Sequence, residues 1–477
     1  MNCGRRGNVN DRHETTKNFT AKRLLCAEPG PPHLTGRYHG TDKLDRPLTF
    51  GSSKMATPEN HIADSLSQSP VAPAAATARY ARKKRAIVAA ASEILNRDGV
   101  KGMTLASVAA QVGLITTSVT YYFKKKEDLA VACFLDGIER IDAIMDEALK
   151  AATPQQRLLR LIQLWLDLRS RIAAGEDPAI SVFNDIRALQ KPLRTVVLTE
   201  YMKFFAKLRS VFDDADFGWL DEQAKTARAH VMTEHLFWSV AWLPRYDLDD
   251  YPRIRDRMFD ILMNGLGVTQ SRWNPAVLPL DSIVNPSGAE VSAAETFFIA
   301  ATRLINERGY RGASVEKISE RLNVTKGSFY HHNDAKDDLV VECFERSFET
   351  MRRIQRAVAL RAENHWSNLA TVATALVNYQ LSERGPLLRT SALTALPLAM
   401  RSKMVESSNR VSDRFAASIS DGIAELSVRP VDPFIAAQML TATMNAAAEI
   451  RWWIPDVLPE NAATLYAKPM LMGIFSR

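Results

Sequence analysis

Hydrophobic positions from residue 87 onward recur with the period of a helix and almost never with that of a strand. Ile87, Ala90, Ala91, Ile94 and Leu95 form the i, i+3, i+4, i+7, i+8 stripe of an amphipathic helix. Gly99 follows where a left-handed C-cap is expected. Thr104 is a good N-cap for a short second helix holding Val108, Ala109 and Val112, which Gly113 closes with a tight turn. A third helix is predicted from Thr116 to Phe123, and a fourth starts near Lys126. Longer amphipathic segments follow, such as Leu158–Leu168 with Trp165 and Tyr201–Val211. The predicted class is all-α. Residues 1–78 lack such periodicity, are rich in Gly, Pro, Ser and Thr, and are expected to be disordered. The change in composition near Met55 makes that residue an alternative initiator.

The pattern occurs twice. Adding 210 carries Ala90-Ala91 onto Ala300-Ala301, Gly99 onto Gly309, Ser118 onto Ser328, Lys126 onto Lys336, and Cys133-Phe134 onto Cys343-Phe344, without a gap. So long a period excludes a solenoid and makes the unit a pair of domains. A fainter echo, Trp242-Leu243-Pro244 and Trp453-Ile454-Pro455, extends the duplication toward the C-terminus. The organisation read from this is a first small helical domain at 79–134, a helical lobe at 135–267, a linker at 268–292 with several prolines, a second small domain at 293–344 and a second lobe at 345–477.

Charge separates the copies. Residues 79–129 hold ten basic and four acidic residues, among them the run Arg82-Lys83-Lys84-Arg85, whereas residues 295–339 hold seven of each. Cations are unfavourable at a helix start, so an external polyanion explains the run better than a solvated face does. The four cysteines lie far apart and suit a reducing, cytoplasmic setting. No apolar run is long enough to cross a bilayer, no catalytic constellation or phosphate loop occurs, and no cofactor or metal is expected. The neighbouring His331 and His332 point apart on a helix and lack partner ligands.

Two short helices joined by a glycine turn, the second rich in Thr, Ser and Tyr, describe a helix-turn-helix whose second helix fits a DNA major groove. Through the Ala-Ala helix, Gly99, Thr104, Val108-Ala109, Gly113, Tyr122-Phe123 and Lys126-Glu127-Asp128-Leu129, the first copy resembles the N-terminal domain of tetracycline-repressor-like (TetR/AcrR) regulators. The second copy resembles it through Ala300-Ala301, Gly309, Ser314, Ile318, the stretch Val324 to Tyr330, Lys336 and Leu339. The resemblance implies two helix-turn-helix domains in one chain, each followed by a helical-bundle regulatory domain. The function it implies is a transcriptional repressor, not an enzyme, that binds a double-stranded DNA operator and is released by a small apolar effector. Carried over position by position, the DNA contacts are Lys83, Lys84, Thr104, Thr116, Thr117, Ser118, Tyr121, Tyr122 and Lys126 in the first copy. In the second they are Ser314, Thr325, Lys326, Gly327, Ser328, Tyr330, His331 and Lys336. Val119, Phe123 and Phe329 read as core.

Both copies depart from the family. Ile115 stands where a capping Ser or Thr is usual, which leaves the cap to Thr116; Thr117 and Thr120 replace the usual Gly and Tyr. In the second copy Asn323 replaces the turn glycine and Asn333 a buried Phe. With its neutral balance, this copy is expected to be the weaker DNA binder, and an alternative reading makes it an interaction or decoy head. The two lobes imply either a pseudo-dimer within the chain or a homodimer of chains.

Overall fold

A computed structural model describes residues 74–181, 183–285, 292–322 and 336–477. The expected disordered extension lies outside these residues up to 73; helix is already present from Ala74, ahead of the boundary expected at 79. Every regular element among the described residues is a helix, apart from one isolated bridge between Gly267 and Val428.

In the first copy, α1 (Ala74–Gly102) buries Ile87, Ala91, Ile94 and Leu95 and is broken by Gly99 at φ 64°. Thr104 caps α2 (Leu105–Gln111), accepting from Ser107 N at 3.0 Å while the Ser107 hydroxyl accepts from Thr104 N. Gly113, at φ 66°, makes the turn into α3 (Thr116–Tyr122). Here the capping expectation fails: Ile115 itself occupies the N-cap position, no side chain caps the helix, and Thr116 is its first helical residue. Val119 and Phe123 face the core with Val108 and Ala109, while α4 (Lys126–Ala148) packs against α1.

The first lobe adds α5 (Pro154–Ala173), a 3-10 turn at Phe183–Ala188, α6 (Leu193–Arg209), α7 (Glu222–Trp242) and α8 (Tyr251–Asn264). The expected linker is not a free coil over its described part. Ala276 N donates to Thr371 Oγ1 at 3.1 Å, Trp366 Nε1 to Arg272 O at 3.2 Å, and a short helix α9 (Leu280–Val284) buries Ile283. Apolar residues at the linker's helical turn explain the difference, since burying them outweighs leaving the segment solvated. The second copy then runs through α10 (Ala293–Gly312), α11 (Val315–Leu322), α12 (Lys336–Ala359), α13 (His365–Leu381), a 3-10 turn at Thr390–Ala395, α14 (Leu398–Ala424), α15 (Pro433–Ala447), α16 (Ile450–Trp453) and α17 (Pro459–Met472).

The last long helices of the two lobes pack on each other: α7 and α8 against α15 and α17. Their contact is reciprocal, as a two-fold interface requires. Leu266 N donates to Leu471 O at 2.8 Å, and Ile474 N donates to Leu262 O at 2.7 Å. Gly265 and Gly473 stand at matching ends of this exchange, both at positive φ; a Cβ on Gly265 would meet Leu471 O at 2.2 Å, and one on Gly473 would meet Met263 O at 2.4 Å. His235 Nε2 pairs with Thr443 Oγ1 at 2.9 Å, and Trp238 Nε1 donates to Gln438 Oε1 at 3.0 Å across the same seam.

Candidate nucleic-acid interface

The first copy presents a cationic face around α3. Residues 78–86 of α1 project beyond the domain core with every side chain exposed. Five of them, Arg79, Arg82, Lys83, Lys84 and Arg85, are basic, and none forms an ion pair among the described residues. Two ring contacts fix this arm beside the reading helix. Tyr80 lies 4.8 Å from Tyr122 and 6.1 Å, edge-on, from Tyr121, while the Lys84 ammonium sits 5.7 Å above Phe123. Lys83, Leu114, Thr117, Ser118, Tyr121 and Tyr122 line one open cleft between arm and helix. Thr116, Thr117 and Tyr121 are exposed, Ser118 and Tyr122 half-buried, so the two tyrosines both pack and present hydroxyls. The structure thus gathers Lys83, Thr117, Ser118, Tyr121 and Tyr122 onto one surface. Tyr80, absent from the sequence-based set, belongs with them; a lone tyrosine ahead of the apolar stripe carries no periodic signal.

Four expected contacts are engaged internally. The Thr104 hydroxyl caps α2. Lys126 is half-buried and donates to Val100 O at 3.3 Å, next to the Gly99 break, where the interrupted helix leaves carbonyls without intrahelical partners. Its counterpart Lys336 donates to the equivalent carbonyl, Tyr310 O. Ser314 accepts from Lys317 N at 3.4 Å at the start of α11. The remaining candidates of the second copy, Thr325, Lys326, Gly327, Ser328, Tyr330 and His331, fall outside the described residues, as do Asn323 and Asn333.

The second copy carries no matching arm. At the positions of the five cations stand Ala289, Ser292, Ala293, Ala294 and Glu295, and Glu295 turns inward to Arg346 at 2.8 Å. Three of its described cations are bonded within the fold. Arg303 donates to Gly385 O and Glu383 O, Arg321 binds Glu307 through two bonds of 2.7 and 3.0 Å, and Lys317 donates to Gly312 O.

Each small domain is tied to its lobe through an equivalent asparagine, also missed from the sequence although the 210-residue repeat pairs the two. Asn96 Nδ2 donates to Ile180 O at 2.8 Å, and Asn306 Nδ2 to Leu387 O at 2.9 Å. At Asn306 a charged tie joins from the other lobe, because Arg187 donates to Asn306 O and also pairs with Glu449. Glu449 in turn holds Arg389, which reaches Glu234 at 3.0 Å; Asn445 Nδ2 donates to the other Glu234 oxygen at 2.7 Å. Burial alone would raise the Glu449 carboxyl, but Arg187 and Arg389 bring it down to about 2. Burial lowers the neighbouring His230 imidazole to about 3, and its Nδ1 meets the Tyr466 hydroxyl at 2.9 Å. His230, Glu234 and Glu449 lie close enough together to suggest a cation site, yet both carboxylates already hold arginines.

Within the first lobe Phe183, Tyr201, Phe204, Phe237 and Trp165 form a continuous ring cluster with centroids 5.3–5.9 Å apart. Gly137 lies beside this cluster; a Cβ there would come within 3.1 Å of the Ile180 side chain. Cys133 and Cys343 are buried and free, their thiols pushed up to about 12 by burial, and donate to the equivalent carbonyls Val88 O and Phe298 O. No described helix is long and apolar enough to cross a membrane.

Residues 87–133 and 299–343 both match the family described as bacterial regulatory proteins, tetR family, a family of regulators rather than enzymes. The chain is 29% identical over 90 residues to the Transposon Tn10 TetC protein of Escherichia coli, a match covering 18% of this chain and 44% of that protein. The chain thus spans less than half the length of this curated relative. Among solved structures it is similar to AibR in complex with isovaleryl coenzyme A and operator DNA, with 19% identity, 37% of this chain and 96% of that one covered, and a TM-score of 0.32. It is similar also to the TetR family regulator PfmR from Thermus thermophilus, at 20% identity, with 38% and 99% covered and a TM-score of 0.32. The two matched segments are similar to the N-terminal unit of that family's regulators, and the chain carries this unit twice.

Proposed function

We propose that the protein is a cytoplasmic, DNA-binding transcriptional repressor in which the first helix-turn-helix supplies most of the DNA affinity. The observation that carries this reading is the exposed α3 surface flanked by five cations without ion-pair partners among the described residues. Phosphate neutralisation by such residues releases counterions and makes binding steeply salt-dependent. The lobe pairing through α7, α8, α15 and α17 supports a working unit in which one chain holds both halves of the dimer found in single-headed regulators. In that unit the aromatic cluster of the first lobe takes a small apolar effector; the second lobe, rich in Ala and Thr along α13 and α15, has no comparable ring cluster among the described residues. Effector and DNA then oppose each other through one coupling free energy, acting equally in both directions.

A gel shift on the protein's own upstream DNA, titrated with salt, tests the reading. Operator affinity should fall steeply as salt rises, and light scattering should give a mass near 53 kDa on and off DNA. Salt-insensitive or absent binding would overturn the DNA assignment; a stable mass near twice that value would overturn the pseudo-dimer. A second reading, in which the second head serves as a docking element and no longer binds DNA, is favoured by one observation: three of its described cations, Arg303, Arg321 and Lys317, are bonded within the fold. Replacing Lys326 by Ala without loss of operator affinity would support it.

A further inference from the structure

Resting on the DNA-binding reading above, we infer that the first head is built to recognise thymine through its 5-methyl group, and that Ile115 is the residue that does so. α3 reads Thr-Thr-Ser-Val-Thr-Tyr-Tyr, so it carries none of the side chains that bind a purine edge through two hydrogen bonds: no Arg or Lys for guanine, no Asn or Gln for adenine. What it offers at its exposed end is apolar or singly polar. Ile115 is 71% exposed, the most exposed large hydrophobic residue of this domain, and Thr116 and Thr117 add methyl groups and hydroxyls beside it. The Thr120 hydroxyl is already used, donating to Thr116 O at 3.0 Å. In the major groove thymine alone presents a methyl group, next to the O4 acceptor that a threonine hydroxyl can reach.

Nothing in folding explains Ile115. An isoleucine is among the poorest residues at an N-cap position, it makes no cap hydrogen bond, and it covers little of its own domain. The charge of the domain names the occupant: the exposed cations of the α1 arm packed beside α3, and the exposed Lys124 and Lys125 that follow α3, suit a phosphate backbone. A protein partner would instead call for a wider aliphatic surface, whereas Ile115 is the one large aliphatic side chain exposed among the described residues of this domain.

The test begins with selecting duplexes from a random library with the full-length wild-type chain. Each dT of the selected site is then replaced singly by dU, which removes only the methyl group. At one or more positions the wild type should bind the dU duplex about fourfold more weakly, the loss expected for one buried methyl group. The Ile115→Ser variant gains a better cap and so should fold at least as well; it should bind dT and dU duplexes equally while keeping the wild-type salt slope. Equal affinity of the wild type for dT and dU at every position would overturn the inference. So would an unchanged dT-to-dU ratio in Ile115→Ser, and either result would leave the DNA-binding reading standing. Failure to enrich any duplex would overturn the DNA-binding reading and this inference with it.

Discussion

Acidification should loosen the pairing of the two lobes, and His235 is the cleanest place to see it. The residue is 1% exposed in the α7–α15 seam. Thr443 Oγ1 donates its own proton to Met439 O at 3.0 Å, so it can only accept from His235 Nε2–H, and His235 Nδ1 has no partner. That arrangement fixes a neutral imidazole. A second proton would sit on a buried nitrogen with no acceptor, and burial accordingly lowers the group to about 4 from its ordinary value of 6.5. Because the folded value is depressed, its contribution to stability is fully present above pH 6.5 and is lost as the pH falls toward 4. Between pH 7.5 and pH 5 this amounts to about 2 kcal/mol.

Other groups titrate nearby. His230, also lowered, acts in the same sense, while Glu234, raised by burial against the pull of Arg389, acts in the opposite one. A His235→Gln variant leaves both in place, so the difference between variant and wild type isolates the one imidazole. Urea denaturation followed by tryptophan fluorescence at pH 7.5 and 5.0, with midpoints converted through a common slope, provides the comparison. The wild type should lose about 2 kcal/mol more than the variant over this interval. Equal losses would refute the reasoning, since they would mean that the seam admits the proton at no cost.

Replacing Lys83 and Lys84 by Ala should weaken binding to all DNA sequences alike and reduce the slope of log affinity against log salt by about 2. Lys126→Ala, by contrast, should leave that slope unchanged and lower the melting temperature, since its ammonium serves the Val100 carbonyl. Glu449→Ala strands Arg187 and Arg389 in a largely buried seam and should destabilise the chain by about 3–5 kcal/mol in denaturant titrations. Gly265→Ala, which sets a Cβ against the Leu471 carbonyl at positive φ, should lower the melting temperature more than Gly113→Ala, where a Cβ meets nothing within 4 Å.

How far the sequence discloses this molecule follows from the range of the forces involved. Helix period, caps and turns act over a few residues, and they mark α1, α2 and α3 to within a few residues wherever the apolar stripe is present. The repeat is legible for the same reason: two copies of one local code stay in register at a spacing of 210. Lys126 reads from sequence as a phosphate ligand, whereas its bond to the Val100 carbonyl beside the Gly99 break is visible only in the folded chain. Ile115 is visible as a departure from the family, but its exposure, which gives the departure meaning, belongs to the folded chain.

The seam between the lobes lies beyond sequence reading altogether. Arg187 and Glu449 are 262 residues apart, His235 and Thr443 are 208 apart, and neither pair carries a local signature. These same contacts are where the duplication has stopped being symmetric. The glycine exchange at Gly265 and Gly473 keeps two-fold reciprocity, whereas the residues of the Arg187–Glu449 tie, which reaches the second head at Asn306, are not repeated at a spacing of 210: Pro397 stands opposite Arg187 and Ser239 opposite Glu449. The head that lacks the cationic arm is the one that holds this extra anchor. Fusing both halves into one chain removes the requirement that each satisfy both sides of a two-fold interface, so the two heads can diverge: the first keeps an exposed cationic arm, and the second is tied to the other lobe through Arg187.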